Sequence, residues 1–234
     1  MEYEFTHKRN NVKTKLQLPI YYQLAVLFRT HNKTKVLCTV HSIAYRIAIC
    51  TELVINDYLK LDGNLFKVSG NTNDAILKEV ATSISLITNK NNSITPKLLV
   101  AILNGEVAKY SSFTIKKLKD KIYNKLKKDQ VVIKKRKIFY ISSKIVLVDN
   151  DLWFRLFQLI LEEIKSKKLS LRTMIILICL NYINKGQDLL NHCNENDKIN
   201  VNTAINTCIN TIKEYNGTDK ERLVYQFLKL LIIK

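Results

Sequence analysis

Apolar residues recur at helical spacing along most of this chain. In segment 41–55 nearly every position is apolar, and Arg46 and Glu52 are the only charged residues inside it. Hydrophobicity on all sides is typical of a helix buried at the centre of its domain. An apolar stripe at the same spacing predicts further helices at 16–28, 75–86, 97–104, 113–128, 152–164, 172–183, 201–215 and 223–233.

Capping residues mark the ends of two of these helices. Thr95 followed by Pro96 is a favourable N-cap and first helical residue, and Gly105 suits the position after the last turn. Thr218 and Glu221 have the spacing of a capping box ahead of the last helix. We therefore expect helix 97–104 to be closed at both ends and the last helix to be well capped.

Two short hairpins are predicted between the helices. The β-prone runs 58–61 and 65–68 flank Asp62-Gly63-Asn64, and an Asp-Gly pair is typical of a tight hairpin turn. The runs 131–133 and 138–141 bracket the wholly basic segment 134–137, which predicts a second hairpin with a basic tip.

Glycine and proline are scarce, with 5 and 2 residues, so the chain lacks the turn residues that all-β folds need. Together these patterns predict a mostly α fold. We expect a single helical domain with short β-hairpins over residues 16–234, preceded by a short basic N-terminal tail at 1–15.

Basic residues greatly outnumber acidic ones. The 38 Lys and Arg face 20 Asp and Glu, for a net charge of +18, while 47% of the residues are hydrophobic, which excludes a disordered chain. This charge favours an anionic partner, either nucleic acid or an anionic lipid surface. A lysine-biased composition is the alternative explanation for the total charge.

Neither a metal site nor an enzyme motif is found. The five cysteines lie far apart without a C-x-x-C pair, so we expect them to be reduced and not to bind zinc. The sequence has no phosphate-binding loop, dinucleotide fingerprint, nucleophile elbow or H-E-x-x-H motif. We therefore expect no enzyme activity and no cofactor.

The longest uncharged apolar run, 173–184, is shorter than the ~20 residues of a spanning helix. Any membrane contact is thus expected at the surface.

Positive charge is concentrated between Lys109 and Lys137. Two acidic residues, Asp120 and Asp129, stand among twelve basic ones there, and lysines flank the apolar stripe of the predicted helix 113–128 on both sides. This concentration favours an anion-binding surface, and a solvated helix face is the alternative.

Arg46 is unusual because it lies inside an otherwise apolar helix. Its guanidinium must be paired or reach a domain edge, and Glu52 is placed about 240° around the helix from it. The expected partner is a carboxylate from another element or an external anion such as phosphate.

Several strings, taken in order, resemble the Golgi phosphoprotein 3 family, which includes the yeast vacuolar-sorting homologue. They are 45–53, 59–61, 103–106, the helix carrying Lys116, Lys119 and Lys121, the hairpin after it, and 171–180 with 188–190. The match extends over about residues 16–190 and indicates a divergent, compact member. Its order and spacing are more specific than any single string.

The resemblance implies a peripheral protein on the cytosolic face of Golgi membranes that binds phosphatidylinositol 4-phosphate. It also implies an adaptor that links coatomer to the cytoplasmic tails of glycosyltransferases and so retains those enzymes during vesicle transport. The family's phosphate pocket uses an arginine of the central helix and a basic pair three residues apart. These positions fall on Arg46 and on Lys116 with Lys119, and Lys121 is a weaker candidate.

The sequence departs from the family in two places. Leu37 stands at the position of the family's pocket tryptophan, so no ring contact to the lipid head group is expected. The family's hairpin inserts apolar residues into the bilayer, whereas a basic run is present here. We expect adsorption to the membrane surface through Ile133, Lys134, Lys135, Arg136, Lys137 and Ile138.

Two further features implied by the family concern its protein partners. Lys8 and Arg9 match an arginine-based coatomer signal only faintly. Self-association through the hairpin is left open.

A nucleic-acid-binding winged helix is the alternative function, because a basic helix followed by a basic hairpin also describes a recognition helix with its wing. Arg136 is the only arginine of the basic segment, and few aromatic residues stand among its lysines. Nucleic acid is therefore the less favoured partner. A structural interaction domain with a merely solvating basic face is a third hypothesis.

Overall fold

The computed structural model describes residues 4–5, 14–15, 18–28, 38–63, 65–91, 93–136, 143–147, 150–183, 190–215 and 219–232. The chain is mostly helical, as predicted. Its helices are α1 Ile20–Leu27, α2 Cys38–Ile55, α3 Ala75–Lys90, α4 Pro96–Asn104, α5 Leu118–Lys128, α6 Asn150–Lys165, α7 Leu171–Tyr182, α8 Glu195–Glu214 and α9 Asp219–Ile232, with a 3-10 helix at Ala108–Phe113.

Three antiparallel hairpins are interspersed with the helices in the described part of the chain. They pair β1 (Glu4–Phe5) with β2 (Thr14–Lys15), β3 (Leu59–Asp62) with β4 (Leu65–Val68), and β5 (Val132–Arg136) with β6 (Ser143–Leu147). In β3–β4, Asp62 lies opposite Leu65, which confirms the predicted tight hairpin. Gly63 in this turn has φ of 59°, a backbone conformation that glycine adopts without strain.

Helix α2 lies at the centre of one continuous hydrophobic core, as its all-round hydrophobicity predicts. Tyr45, Ile47, Ile49 and Leu53 of α2 are fully buried. The helix packs against α1, α4, α7 and α9, so it has neighbours on all sides. A polar residue in α2 must therefore find its partners inside the protein.

The ends of α4 follow the predicted capping residues. Thr95 Oγ1 accepts a hydrogen bond from the backbone N–H of Leu98 at 3.2 Å, and Pro96 is the first helical residue. Gly105 closes the helix with φ of 84°. A Cβ at this glycine would lie 2.9 Å from Thr114 Cγ2. Both the positive φ and this close contact therefore disfavour any larger residue here.

The start of α5 differs from the prediction of a helix over 113–128. Residues up to Phe113 form a 3-10 turn, Thr114 is extended, and Lys117 has φ of 54°, so α5 begins only at Leu118. The apolar stripe of Leu118, Ile122 and Leu126 is buried as expected. Lys116 and Lys117 thus lie in the turn before the helix and not on its flanks.

The second hairpin is longer than predicted, and three of the four residues of its predicted basic tip lie in a strand instead. Lys134, Lys135 and Arg136 belong to strand β5 and lie opposite Ile145, Lys144 and Ser143 of β6. The prediction took the charge run for a turn, but lysine and arginine backbones can pair in a ladder as well as any. Residues 137–142, including Lys137 and Ile138, lie outside the described residues.

Two of the later helices begin well before their predicted residues, and α9 does so at Asp219, four residues before the predicted 223. Helix α8 begins at Glu195, six residues before the predicted 201, because Asn194 Oδ1 caps it by accepting from the N–H of Asp197 at 2.8 Å. Thr218 of the predicted capping box lies outside the described residues, and Glu221 accepts a hydrogen bond from the Tyr215 hydroxyl.

Candidate functional site

Arg46 is held by backbone carbonyl groups. The residue is 3% exposed, on the α2 face that meets α4 and the turn before α5. Nε donates to the carbonyl of Leu103 at 2.9 Å, Nη2 to the carbonyl of Ile115 at 2.8 Å, and Nη1 to the carbonyl and hydroxyl of Ser42. Four of the five guanidinium N–H groups therefore donate within the described part of the chain.

These partners differ from both alternatives suggested by the sequence. Among the described residues, no carboxylate lies within ion-pair distance of Arg46, and carbonyl oxygens take the place of an internal acid. Burial lowers the pKa of Arg46 to about 10, and the nearby Cys50 and Glu106 partly oppose that shift. The guanidinium is therefore still a cation at neutral pH.

A short polar chain leads from Arg46 to the surface. The Ser42 hydroxyl, which accepts from Arg46, donates to Asn104 Oδ1 at 3.1 Å. The Asn104 amide in turn donates to Glu106 Oε1, an exposed carboxylate beyond the end of α4. The charge of Arg46 is thus linked to an acid at the surface through two intervening side chains.

The hydrogen bond from Arg46 to Ile115 joins Arg46 to the turn that carries Lys116. Lys116 follows Ile115 directly and is exposed, as is Lys117, and Lys119 lies half-buried in the first turn of α5. Lys119 Nζ lies 5.7 Å from the ring centre of Tyr123. Within the described residues, none of these three lysines forms an ion pair, although Asp120 shares the first turn.

Lys121, the weaker candidate, points to another part of the molecule. Its ammonium group pairs with Glu79 of α3, and Lys125 one turn later lies 3.7 Å from Asp74. Asp74 also accepts a hydrogen bond from the Tyr21 hydroxyl at 2.6 Å. The acids of α3 therefore neutralise this flank of α5 and leave the N-terminal end basic.

The β5–β6 hairpin continues the run of basic residues along the chain beyond the end of α5. Lys127 and Lys128 are exposed in the last turn, and the strand with Ile133, Lys134, Lys135 and Arg136 follows. In the register of the two strands, Lys135 lies directly opposite Lys144.

The other predicted positions are outside the described residues. They are Leu37 at the family's tryptophan position, Lys8 and Arg9 of the suggested coatomer signal, and Lys137 and Ile138 of the hairpin.

A buried ion pair between Glu52 and Arg172 was not predicted from the sequence. Glu52 accepts from Arg172 Nη2, from Asn56 Nδ2 at 2.8 Å, and from the N–H of Ile20 at 2.9 Å. Its carboxylate thereby caps α1, whose own N-cap residue, Pro19, has no side-chain donor or acceptor. The sequence did carry one signal for this pair, because Glu52 and Arg172 are charged residues that each lie in an otherwise apolar helix.

No protein-family model matches the sequence, and no curated protein matches it either. Among the described residues, none of the helices combines the length and the hydrophobicity needed to cross a membrane. The same part of the chain has no cluster of three or more metal-ligating side chains.

Proposed function

We propose that this protein is a peripheral membrane protein that binds the phosphate of phosphatidylinositol 4-phosphate at the N-terminal end of α5. The supporting observation is the hydrogen bond from Arg46 to the Ile115 carbonyl, which fixes the turn that carries Lys116. Lys116 and Lys119 supply the charge on this proposal, and Arg46 acts chiefly as a positioning residue.

The chemistry of the helix end suits a phosphate. The first N–H groups of an α-helix have no intrahelical acceptor, and the helix dipole adds partial positive charge there. Lys116 and Lys117 precede α5 directly, and Lys119 belongs to its first turn. One N–H of Arg46 also remains without an acceptor in the described part of the chain.

The hairpin provides the less specific part of the attraction. Each basic residue near an anionic leaflet contributes about 1 kcal/mol, and salt weakens this contribution. Lys134, Lys135, Arg136 and Lys144 lie together on β5–β6. On this proposal the hairpin concentrates the protein on anionic membranes, and the α5 site selects the phosphoinositide.

The adaptor role rests on the resemblance to the Golgi phosphoprotein 3 family. It comprises residence on the cytosolic face of Golgi membranes, binding of coatomer, and retention of glycosyltransferases by their cytoplasmic tails. A fluorescent fusion tests the first part. It should leave the Golgi when phosphatidylinositol 4-phosphate is depleted, and unchanged localisation would contradict the role.

Liposome co-sedimentation tests the lipid site. Vesicles that contain phosphatidylinositol 4-phosphate are compared with phosphatidylserine vesicles of equal charge at about physiological salt, where the Debye length is ~8 Å. We expect the wild type to prefer the phosphoinositide, and the double variant Lys116→Glu/Lys119→Glu to lose that preference.

The matched control is Lys97→Glu/Lys168→Glu, which makes the same change in net charge at two exposed lysines elsewhere. It should bind more weakly to both vesicles but keep the preference. Equal binding of the wild type to both vesicles, or an equal loss of preference in both variants, would contradict a specific site.

Nucleic-acid binding is the second candidate, and the position of the β5–β6 hairpin directly after the basic helix α5 favours it. Fluorescence anisotropy with a labelled duplex distinguishes the two functions. If nucleic acid is the ligand, Lys127→Glu/Lys128→Glu should weaken duplex binding, and the vesicle assay should show no lipid preference.

A further inference from the structure

The outer face of α8 carries a short repeat of uncharged polar residues. An apolar residue followed by Asn and Thr occurs three times, at 201–203, 205–207 and 209–211. The inner side of the helix, with Val201, Ala204, Ile205, Cys208 and Ile212, is buried against α6, α7 and α9. The outward-facing residues between Lys198 and Lys213 include no charge.

This face is unusual for a chain of net charge +18. Because the chain is so basic, contact between two copies through most surfaces would bring lysines close together. Contact through the uncharged face of α8 would not. Ile199 on this face is 63% exposed. Contact here would cover an apolar side chain at low electrostatic cost.

Four residues of α8 form one line along the helix: Glu195, Asn202, Asn206 and Lys213. Their spacings of seven, four and seven residues place them on a single ridge, and Glu195 and Lys213 are about five turns apart. The order is self-complementary, because reversing the ridge about Ala204 exchanges Glu195 with Lys213 and Asn202 with Asn206.

We propose that two copies of this chain associate through α8, antiparallel, about a two-fold axis at the level of Ala204. Glu195 of each copy then meets Lys213 of the other, and Asn202 of each copy meets Asn206 of the other. A two-fold interface uses the same patch on both copies, so each of these contacts forms twice.

The side chains available in one copy agree with this pairing. Glu195 is 84% exposed, and its carboxylate already accepts from Lys198 at 2.6 Å, so it is held near the ridge. The hydroxyls of Thr207 and Thr211 donate back to the carbonyls of Thr203 and Thr207 at 2.9 Å. Their single protons are therefore not available to the carbonyl oxygens of the asparagine side chains.

The contact is small. A helix of 20 residues is about 30 Å long. The area buried between two such helices is at the low end of the range for specific interfaces. We expect a weak dimer whose population grows over the micromolar range.

Charge exchange tests the pairing. Sedimentation equilibrium of the full chain at about 0.15 M salt compares Lys213→Glu, Glu195→Lys and the double variant that exchanges the two charges. Each single variant should raise the dimer dissociation constant about fivefold or more, and the double variant should restore it to within about twofold. All of these positions are exposed, so folding should be unaffected.

The control is Lys97→Glu, which lowers the net charge by the same amount as Lys213→Glu at an exposed lysine outside α8. It should leave the dimer unchanged or slightly strengthen it, whereas Lys213→Glu should weaken it. A wild type that stays monomeric up to millimolar concentration overturns the proposal. So does a dimer that the single variants leave unchanged, which would indicate another surface such as the hairpin.

Discussion

Arg46 Nη2 donates a hydrogen bond to the backbone carbonyl of Ile115 at 2.8 Å, and this bond joins the buried centre of α2 to the turn ahead of α5. The same guanidinium holds the end of α4 through the Leu103 carbonyl. A single cation therefore sets the relative position of three helices and of the lysines proposed to bind phosphate.

Arg46→Ala should destabilise the fold, because it leaves the carbonyls of Leu103 and Ile115 buried without donors. Each unsatisfied group costs roughly 1–3 kcal/mol, so we expect a loss of about 3 kcal/mol in the free energy of unfolding. Urea denaturation measures this loss. Lys116→Ala in the exposed turn should change stability by less than about 0.5 kcal/mol, and an equal effect of both variants would contradict the positioning role.

The pair between Glu52 and Arg172 should behave as a buried ion pair, since their side chains are 4% and 19% exposed. Arg172→Met leaves the carboxylate without its cation and should cost about 3 kcal/mol. Glu52→Gln keeps an acceptor for the Ile20 N–H but leaves the guanidinium unpaired. The double variant should cost less than the sum of the single ones by about 1 kcal/mol or more, and strict additivity would show that the two residues are not coupled.

Stability should fall at alkaline pH because of the buried thiols. Burial raises the pKa of Cys50 to about 12 and that of Cys208 to about 11, from an ordinary value of 9.0. Above pH 9 the unfolded chain releases these protons while the folded chain keeps them, so the folded state loses stability as the pH rises through this window. At pH 10 each thiol should account for about 1 kcal/mol. Denaturation between pH 8 and 10.5 measures this, and Cys208→Ala should have a shallower decline than the wild type.

Gly105→Ala should be more harmful than Gly63→Ala. Both glycines have positive φ, at 84° and 59°, and both substitutions bear the roughly 1 kcal/mol cost of a side chain in that conformation. At Gly105 the new Cβ would also meet Thr114 Cγ2, at 2.9 Å, whereas nothing in the described part of the chain lies within 4 Å of the Cβ position at Gly63. Thermal unfolding of the two variants isolates this contact. Equal losses of stability in the two variants would mean that Thr114 moves away from the new Cβ without a measurable cost.

Local signals were sufficient to predict those elements whose ends depend on their own residues. The all-round apolar pattern placed α2 at the centre of the core, and Thr95, Pro96 and Gly105 fixed both ends of α4. These features depend on neighbours within a few positions, which a sequence pattern records directly.

Features set by distant contacts were not predictable in the same way. The start of α5 at Leu118 follows a turn whose Ile115 carbonyl binds Arg46, 69 residues earlier. The sequence indicated that Arg46 needs partners. Every residue has a backbone carbonyl, so the sequence could not show which carbonyls would accept from Arg46. For the β5–β6 hairpin, the sequence showed the run of basic residues but not how the two strands pair. Their register places Arg136 opposite Ser143.

The ion pair that caps α1 also bears on how the chain matures during synthesis. Glu52 leaves the ribosome 120 residues ahead of Arg172. At about 5–20 residues per second, α2 waits roughly 6–24 s for the helix that neutralises its carboxylate and covers that side of it. During this interval one side of the hydrophobic helix α2 is uncovered in the nascent chain, and exposed apolar surface of this kind is what co-translational chaperones bind.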